Sequence, residues 1–225
     1  MIEKFKGTLY WQFLSTNDSL AWSKEIIDEY YDRWKIYSKS ISRNSGIPWS
    51  LEILEQYANV LDWSELSINY KLPWSEQLIE RYFEKWDWKN LSANNGINWT
   101  SELIETYKDR LHWDKLSANW GVNWTSELIE TYENCWDWRE LTNNKNLPWS
   151  EEFFKTYAQR WDLNIFKHNE MIPRTKWVMD WAEQKALQTQ ADDTYQKLIS
   201  VINKASNKRS WTAVSKIRST AWSKA

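Results

Sequence analysis

The apolar residues of the chain recur in a pattern that repeats every 25 residues. A tryptophan begins each copy, an apolar pair follows four and five residues later, and a tyrosine follows after eight. The anchor tryptophans are Trp22, Trp49, Trp74, Trp99, Trp124 and Trp149, and their tyrosines are Tyr30, Tyr57, Tyr82, Tyr107, Tyr132 and Tyr157. This i, i+4, i+8 spacing predicts a first helix of about ten residues in every copy.

A second aromatic cluster predicts a shorter second helix in each copy. Trp86 and Trp88 are typical of it, lying 12 and 14 residues after their anchor. The Ser or Thr that follows each anchor can cap the first helix, and a recurring Asp can cap the second. These aspartates are Asp62, Asp87, Asp137 and Asp162. Prolines and glycines cluster just before the anchor positions, so every link between copies falls at one place in the repeat.

A single copy has too little apolar surface to overcome its own chain entropy, so adjacent copies must stack. The sequence therefore predicts an all-α fold, an α-solenoid of six and a half helix-turn-helix repeats of about 25 residues with a C-terminal helical cap and tail. We expect residues 1–174 to form the array and residues 175–225 to form the cap and a basic amphipathic tail. The first copy has two extra residues and WKIYSKSI in place of WDWKNL, which predicts irregular stacking there.

Composition and charge support this division. Twenty tryptophans with only four glycines and four prolines argue against a β-sandwich or barrel. The net charge of −2 hides an asymmetry, because residues 175–225 carry nine basic and four acidic side chains. The tail is therefore predicted to be a separate functional unit. One cysteine and no long apolar stretch favour a cytoplasmic location.

Three recurring features admit a functional interpretation beside a structural one. The tryptophans could stack on sugars or bases, but fourteen of the twenty occupy three fixed repeat positions, which indicates a core. Trp120 lies outside those positions and is predicted to be exposed. An asparagine at one phase, such as Asn94, could line a ligand site, yet in a link it more often bonds backbone. The acid six residues after most anchors, such as Glu105, is expected to lie on a solvated face.

The sequence offers few residues that could act in catalysis. His112 and His168 are the only histidines, and we find no Cys/His cluster, phosphate loop or nucleophile elbow. We therefore expect no enzyme activity, no catalytic, cofactor or metal site, and no small-molecule substrate.

The tail contains apolar stripes at helical spacing. Trp177/Trp181 and then Tyr195, Leu198, Ile199 and Ile202 are predicted to pack on the last repeat as a cap. After an expected break at residues 206–210, a second amphipathic helix carries Trp211, Lys216, Arg218 and Trp222. Such a helix can bind a membrane surface, a groove on a protein or nucleic-acid phosphates. The alternative is a second capping helix or a partly disordered end.

The string LPWSEQLIERYFEKWDWKNLSANNGINW, residues 72–99, has the order PWS, WDW, LS and N that recurs over residues 10–173. In this it resembles tryptophan-rich repeats of uncharacterised bacterial and viral proteins. The resemblance implies a repeat scaffold, and no activity comes with it.

The favoured function is a non-enzymatic scaffold for protein–protein interaction or assembly, with self-association among the options. The candidate partner-binding residues are Trp120, Tyr31, Phe83 and Lys108 in the array and Trp211, Lys216, Arg218 and Trp222 in the tail. The alternative is an adaptor that binds nucleic acid or a membrane surface through the tail.

Overall fold

A computed structural model describes the backbone of residues 11–222, with side chains described for residues 11–201, 203 and 204. Within that range the structure is an α-solenoid, as the periodicity predicts. Its only β-type pairing is an isolated parallel bridge between Trp99 and Val122.

The helices follow the predicted repeat. The half copy is α1 (Trp11–Thr16), and the first full copy holds α2 (Lys24–Glu29), α3 (Tyr31–Trp34), a 3-10 turn (Lys35–Tyr37) and α4 (Ser38–Arg43). The next five copies alternate a first helix with a second helix: α5 (Leu51–Tyr57), α6 (Trp63–Ile68), α7 (Glu76–Arg81), α8 (Trp88–Ser92), α9 (Ser101–Tyr107), α10 (Trp113–Ser117), α11 (Ser126–Thr131), α12 (Trp138–Asn143), α13 (Glu151–Thr156) and α14 (Leu163–Phe166). The last element is α15 (Lys176–Trp222). The 3-10 turn accommodates the two extra residues of the first copy. The stacking predicted to be irregular there continues, because α4 still packs between α1 and α6 and Asn44 keeps its bond to Ser15.

The first helices have six or seven residues, so the predicted length of ten was wrong. In the third copy α7 ends at Tyr82, whose backbone leaves the helical region (φ −117°, ψ 27°). The carbonyl of Ile79 then accepts a hydrogen bond from the indole Nε1 of Trp86 at 3.0 Å. Because a side chain takes the place of the next backbone donor, the helix can stop early without leaving that carbonyl unpaired.

The predicted caps are confirmed. The hydroxyl of the Ser or Thr after each anchor accepts a hydrogen bond from a backbone N–H at the start of its first helix, as Ser75 does from Leu78 at 3.2 Å. Asp87 does the same for α8, where it accepts from the N–H of Asn90 at 3.1 Å. Each short helix therefore begins with one of its free donors satisfied.

The second helices stack on one another along the array, α1 on α4, α4 on α6, and so on to α14. All fourteen tryptophans at the three repeat positions are buried or half-buried, which confirms the core interpretation. They pack edge to face across copies, as where Trp63 lies 4.9 Å from Trp86 between ring centroids. These contacts combine a large buried area with favourable ring geometry.

Two polar ladders run between the stacked copies. Asn94 donates from Nδ2 to the carbonyl of Ser67 in the previous copy at 2.8 Å, and its Oδ1 accepts from Gly96 N at 2.8 Å. The buried hydroxyl of Ser92 accepts from the N–H of His112 in the next copy at 3.0 Å. The asparagines from Asn44 to Asn169 repeat the first bond and are buried, so the structural interpretation of the asparagines is confirmed.

The links themselves stack backbone against backbone. A Cβ atom placed on Gly96 would lie 2.5 Å from the carbonyl oxygen of Tyr70, and one on Gly121 would lie 2.5 Å from that of Ile97. A side chain at either position would push two copies apart, which explains glycine there. In another copy Lys71 occupies this phase.

The C-terminal region differs from the prediction in two ways. α15 is one continuous helix, so the expected break at residues 206–210 is wrong; residues 176–222 hold no Gly or Pro that would interrupt it. Only its start caps the array, where Val178 is fully buried and Trp181 lies 4.9 Å from Phe154 between ring centroids. Tyr195 and Leu198 do not pack on the last repeat and are exposed.

Candidate functional site: a loop ridge and a projecting helix

The acidic residues on the first helices bind the next copy. The hydroxyl of Tyr107 donates to Oε2 of Glu80 at 3.0 Å, and Tyr132 donates to Glu105 in the same way. Tyr57 donates to Asp28. The acids are exposed, as expected for a solvated face, and in three copies they also accept a hydrogen bond from the tyrosine of the next copy.

These contacts help to raise the pKa of the tyrosines and to lower that of Glu105. Burial and then the bond to Glu80 raise the pKa of Tyr107 to about 12, and burial and the bond to Glu105 raise the pKa of Tyr132 to about 12. The ammonium of Lys108, and then the hydroxyl of Tyr132, hold the pKa of Glu105 below its usual value. The acids and tyrosines are therefore committed to joining copies and are poor candidates for catalytic groups.

The basic residues late in the first helical segment are also used internally. Nζ of Lys85 lies 5.1 Å from the ring centroid of Trp63, and the Arg160 guanidinium lies 5.7 Å from that of Trp138. Cations over indole faces stabilise the packing of partly exposed tryptophans. Cys135 takes this phase in the fifth copy and is exposed.

One row of side chains lies outside the packed core. It consists of the link residues at 25-residue spacing, which we call the loop ridge: Ser45, Tyr70, Asn95, Trp120, Lys145 and Glu170. All but half-buried Ser45 are exposed, and Trp120 exposes 66% of its surface. The prediction that Trp120 is exposed is confirmed. Tyr70, which exposes 57%, is the ridge aromatic that the sequence analysis did not single out.

The backbone that carries Trp120 is fixed although its side chain is free. Its N–H donates to Oδ1 of Asn95 at 2.7 Å, and its carbonyl accepts from Nδ2 of Asn146 at 3.2 Å. Further along, Lys145 pairs with Glu170 at 2.8 Å. The ridge is thus a row of ordered links, one per copy, with an exposed indole near its middle and polar neighbours on either side.

The other predicted partner-binding residues of the array lie on the face of the first helices. Tyr31 is half-buried and stacks on Tyr57 with ring centroids 5.4 Å apart, and Phe83 is half-buried with the Arg110 guanidinium 4.9 Å from its centroid. Both therefore serve packing between copies. Lys108 is exposed and pairs with Glu105 at 2.7 Å. The structure does not bring any of these three to the loop ridge, and their binding role stays a prediction.

The tail residues Trp211, Lys216, Arg218 and Trp222 lie outside the residues whose side chains are described, so their role also stays a prediction. Before them, α15 leaves the array. Its described side chains from 186 to 204 are exposed apart from half-buried Ile199. Leu187, Leu198 and Val201 expose apolar surface along this stretch.

A small cavity of about 250 Å³ lies beside the irregular first copy. Glu65 lines it and exposes only 8% of its surface. Its Oε1 lies 3.4 Å from Nζ of Lys39. Its Oε2 has no hydrogen-bond donor and lies 3.7 Å from Nε of Arg43. Because the two cations already neutralise the carboxylate, we assign the cavity to the packing of this copy.

Among the described residues, no three His, Cys, Asp or Glu side chains converge as a metal ion would require. Within residues 11–222, no helix joins the length and apolarity needed to cross a bilayer. Comparison of the chain with protein-family models, with curated proteins and with solved structures gives no match. The resemblance to tryptophan-rich repeats therefore stays a prediction.

Proposed function

We propose that the chain is a non-enzymatic scaffold that binds a protein partner on the loop ridge. The observation that carries this proposal is Trp120, a large aromatic side chain that is exposed on a backbone held from both sides. Binding hot spots are enriched in tryptophan, tyrosine and arginine, and a side chain on an ordered backbone loses less entropy on binding. The other recurring aromatic and polar groups are occupied within the array.

The chemistry of the ridge favours a protein over a nucleic acid. Lys145 is paired with Glu170, and the remaining ridge positions hold hydroxyl, amide and aromatic groups. Phosphate backbones are bound by clusters of unpaired Lys and Arg, which the ridge lacks. An aromatic centre with a polar rim is typical of protein interfaces. The alternative adaptor function rests on the tail and stays a prediction.

The test compares two exposed positions. A photo-crosslinking residue at position 120 should capture the partner from lysate of the source cells, and one at Lys89, exposed on α8, should not. With that partner purified, Trp120→Ala should weaken binding by about 2 kcal/mol and Lys89→Ala by less than about 0.5.

Stability provides the control. Trp120→Ala should lower the free energy of unfolding by less than about 1 kcal/mol, whereas Trp99→Ala, at a fully buried anchor, should lower it by about 3–5 kcal/mol. Unchanged partner binding by a folded Trp120→Ala variant would rule out the ridge as the docking site.

A further inference from the structure

We propose that α15 is a dimerisation helix, which pairs antiparallel with α15 of a second copy of this chain. This inference does not depend on the loop ridge binding anything. It concerns the stretch from 183 to 204, where the helix has left the array and its described side chains are almost all exposed.

The exposed apolar positions have the spacing of a coiled-coil seam. Leu187, Ala191, Thr194, Leu198 and Val201 follow one another at alternating intervals of four and three residues. That interval keeps the seam on one side of the helix over more than two turns, as heptad a and d positions do. All five side chains are exposed and lie on a helix that the array does not cover. A partner helix can cover the seam.

The charges select an antiparallel partner. Residues 176–196 carry four acidic and two basic side chains, whereas residues 197–222 carry six basic and no acidic side chains. A parallel pair would place the basic halves side by side. An antiparallel pair centred near residue 192 instead places residues 197–208, which hold three basic side chains, opposite residues 177–188, which hold two acidic and one basic. Asp192 and Asp193 then lie near the axis, at positions that do not belong to the seam. Opposite charges that flank a seam determine the orientation and partner of such helices.

One register satisfies both the seam and the charges. When Leu198 faces Leu187 of the second copy, Ala191 faces Thr194, so seam residues form the four central layers, and Val201 faces Gln184 at each end. In heptad notation Ala191 and Leu198 are at position a, and Glu183 and Lys204 are at the flanking position g. This register places Glu183 opposite Lys204 of the second copy. All of these residues are in the described part of α15 and are exposed. The twofold axis lies near residues 192–193, and every contact occurs twice, as a closed dimer requires.

The distal part of α15 also lacks the tertiary packing that stabilises most protein helices. Helices without tertiary packing are marginal, and most helix stability in proteins comes from burying an apolar face. Pairing supplies that packing to a segment that the array leaves without it. The two arrays would be held at opposite ends of the paired helices, each with its loop ridge free.

The test is sedimentation equilibrium of the full chain, whose mass is 27.3 kDa. We expect a dimer of twice that mass. Leu198→Asp should weaken dimerisation by about tenfold or more, because it places a charge in the seam. Gln196→Asp adds the same charge on the opposite side of the helix and should have little effect. Trp120→Ala should leave the dimer intact, which separates this inference from the proposed function.

A charge exchange tests the orientation. Glu183→Lys alone and Lys204→Glu alone should each weaken the dimer, and the two together should restore it, since the pair is regenerated with reversed signs. Circular dichroism should show each variant folded, because the substituted side chains are exposed. A monomeric full chain that binds anionic vesicles or DNA would overturn the inference in favour of the adaptor. A dimer that is equally sensitive to Gln196→Asp, or not restored by the double exchange, would overturn the proposed pairing.

Discussion

The array and the distal part of α15 are both helical, but they reach that state by opposite routes. Array helices have four to seven residues, too few to be stable alone, and each is held by caps, indole hydrogen bonds and the next copy. α15 has 47 residues, and its described side chains from 186 to 204 are exposed apart from half-buried Ile199. Helix length is therefore no guide to where stability lies in this molecule. The short helices carry the fold, and the long one is available for association.

Leucines in the two regions provide the largest expected contrast. Leu91 on α8 is fully buried, whereas Leu198 on α15 exposes 55% of its surface. Leu91→Ala should reduce the free energy of unfolding by about 2–5 kcal/mol, from lost burial and the remaining cavity. Leu198→Ala should reduce it by less than about 0.5 kcal/mol at protein concentrations where the chain is monomeric. Urea unfolding followed by circular dichroism measures both, and similar losses would show that α15 is part of the packed core.

Asparagines give a second contrast of smaller size. Asn94→Ala removes bonds to Ser67 and Gly96 and leaves buried backbone groups unpaired, so we expect a loss of about 1–3 kcal/mol. Asn203 is exposed on α15, and Asn203→Ala should be neutral or slightly stabilising, because alanine favours helix. The same unfolding experiment checks the pair. An unchanged urea midpoint for Asn94→Ala would mean that the asparagine ladder does not stabilise the stack.

The tyrosine–acid contacts give a smaller effect, confined to alkaline pH. Because the folded-state pKa of Tyr107 is raised to about 12, its stabilising contribution is complete below the unfolded value near 10 and is lost as pH rises through 12. NMR titration of labelled tyrosine rings should show Tyr107 ionising late.

Substitution of the two acids separates the contacts. Glu80→Gln should lower the pKa of Tyr107 part of the way, since burial, the larger cause, remains. Glu105→Gln should instead lower that of Tyr132. Tyr107 ionising near pH 10 in the unaltered chain would contradict the inter-copy contact.

The repeat could be derived from the sequence because it is enforced six times over. Its period, caps, core tryptophans and buried asparagines each leave a signal at a fixed phase. The length of the first helices could not, because the i, i+4, i+8 pattern continues past the residue where each helix ends. In four copies an indole such as that of Trp86 reaches back to a helix carbonyl, and those helices have six residues instead of seven. The bond from Tyr107 to Glu80 was also missed, since periodicity alone does not give the offset between neighbouring copies. The exposure of Trp120 was predictable as a departure from the pattern.

The continuity of α15 was missed for a different reason. The break was expected at the run SNKRS of residues 206–210, which holds few apolar residues. Ser and Asn in this stretch lower helix propensity only slightly, so they do not end it. Among the predicted docking residues, the described ones divide into one free indole, two packing aromatics and one paired lysine.

The most direct test asks whether the array folds without the rest of α15. It compares urea unfolding of the full chain with that of a chain ending at residue 186, each at several protein concentrations. Both chains keep Val178 and Trp181, the residues that cap the last repeat. We predict equal urea midpoints for the two chains at the lowest concentration. The midpoint of the full chain should rise with protein concentration and that of the shortened chain should not, because only dimerisation depends on mass action. A lower midpoint for the shortened chain at every concentration would contradict this division of roles.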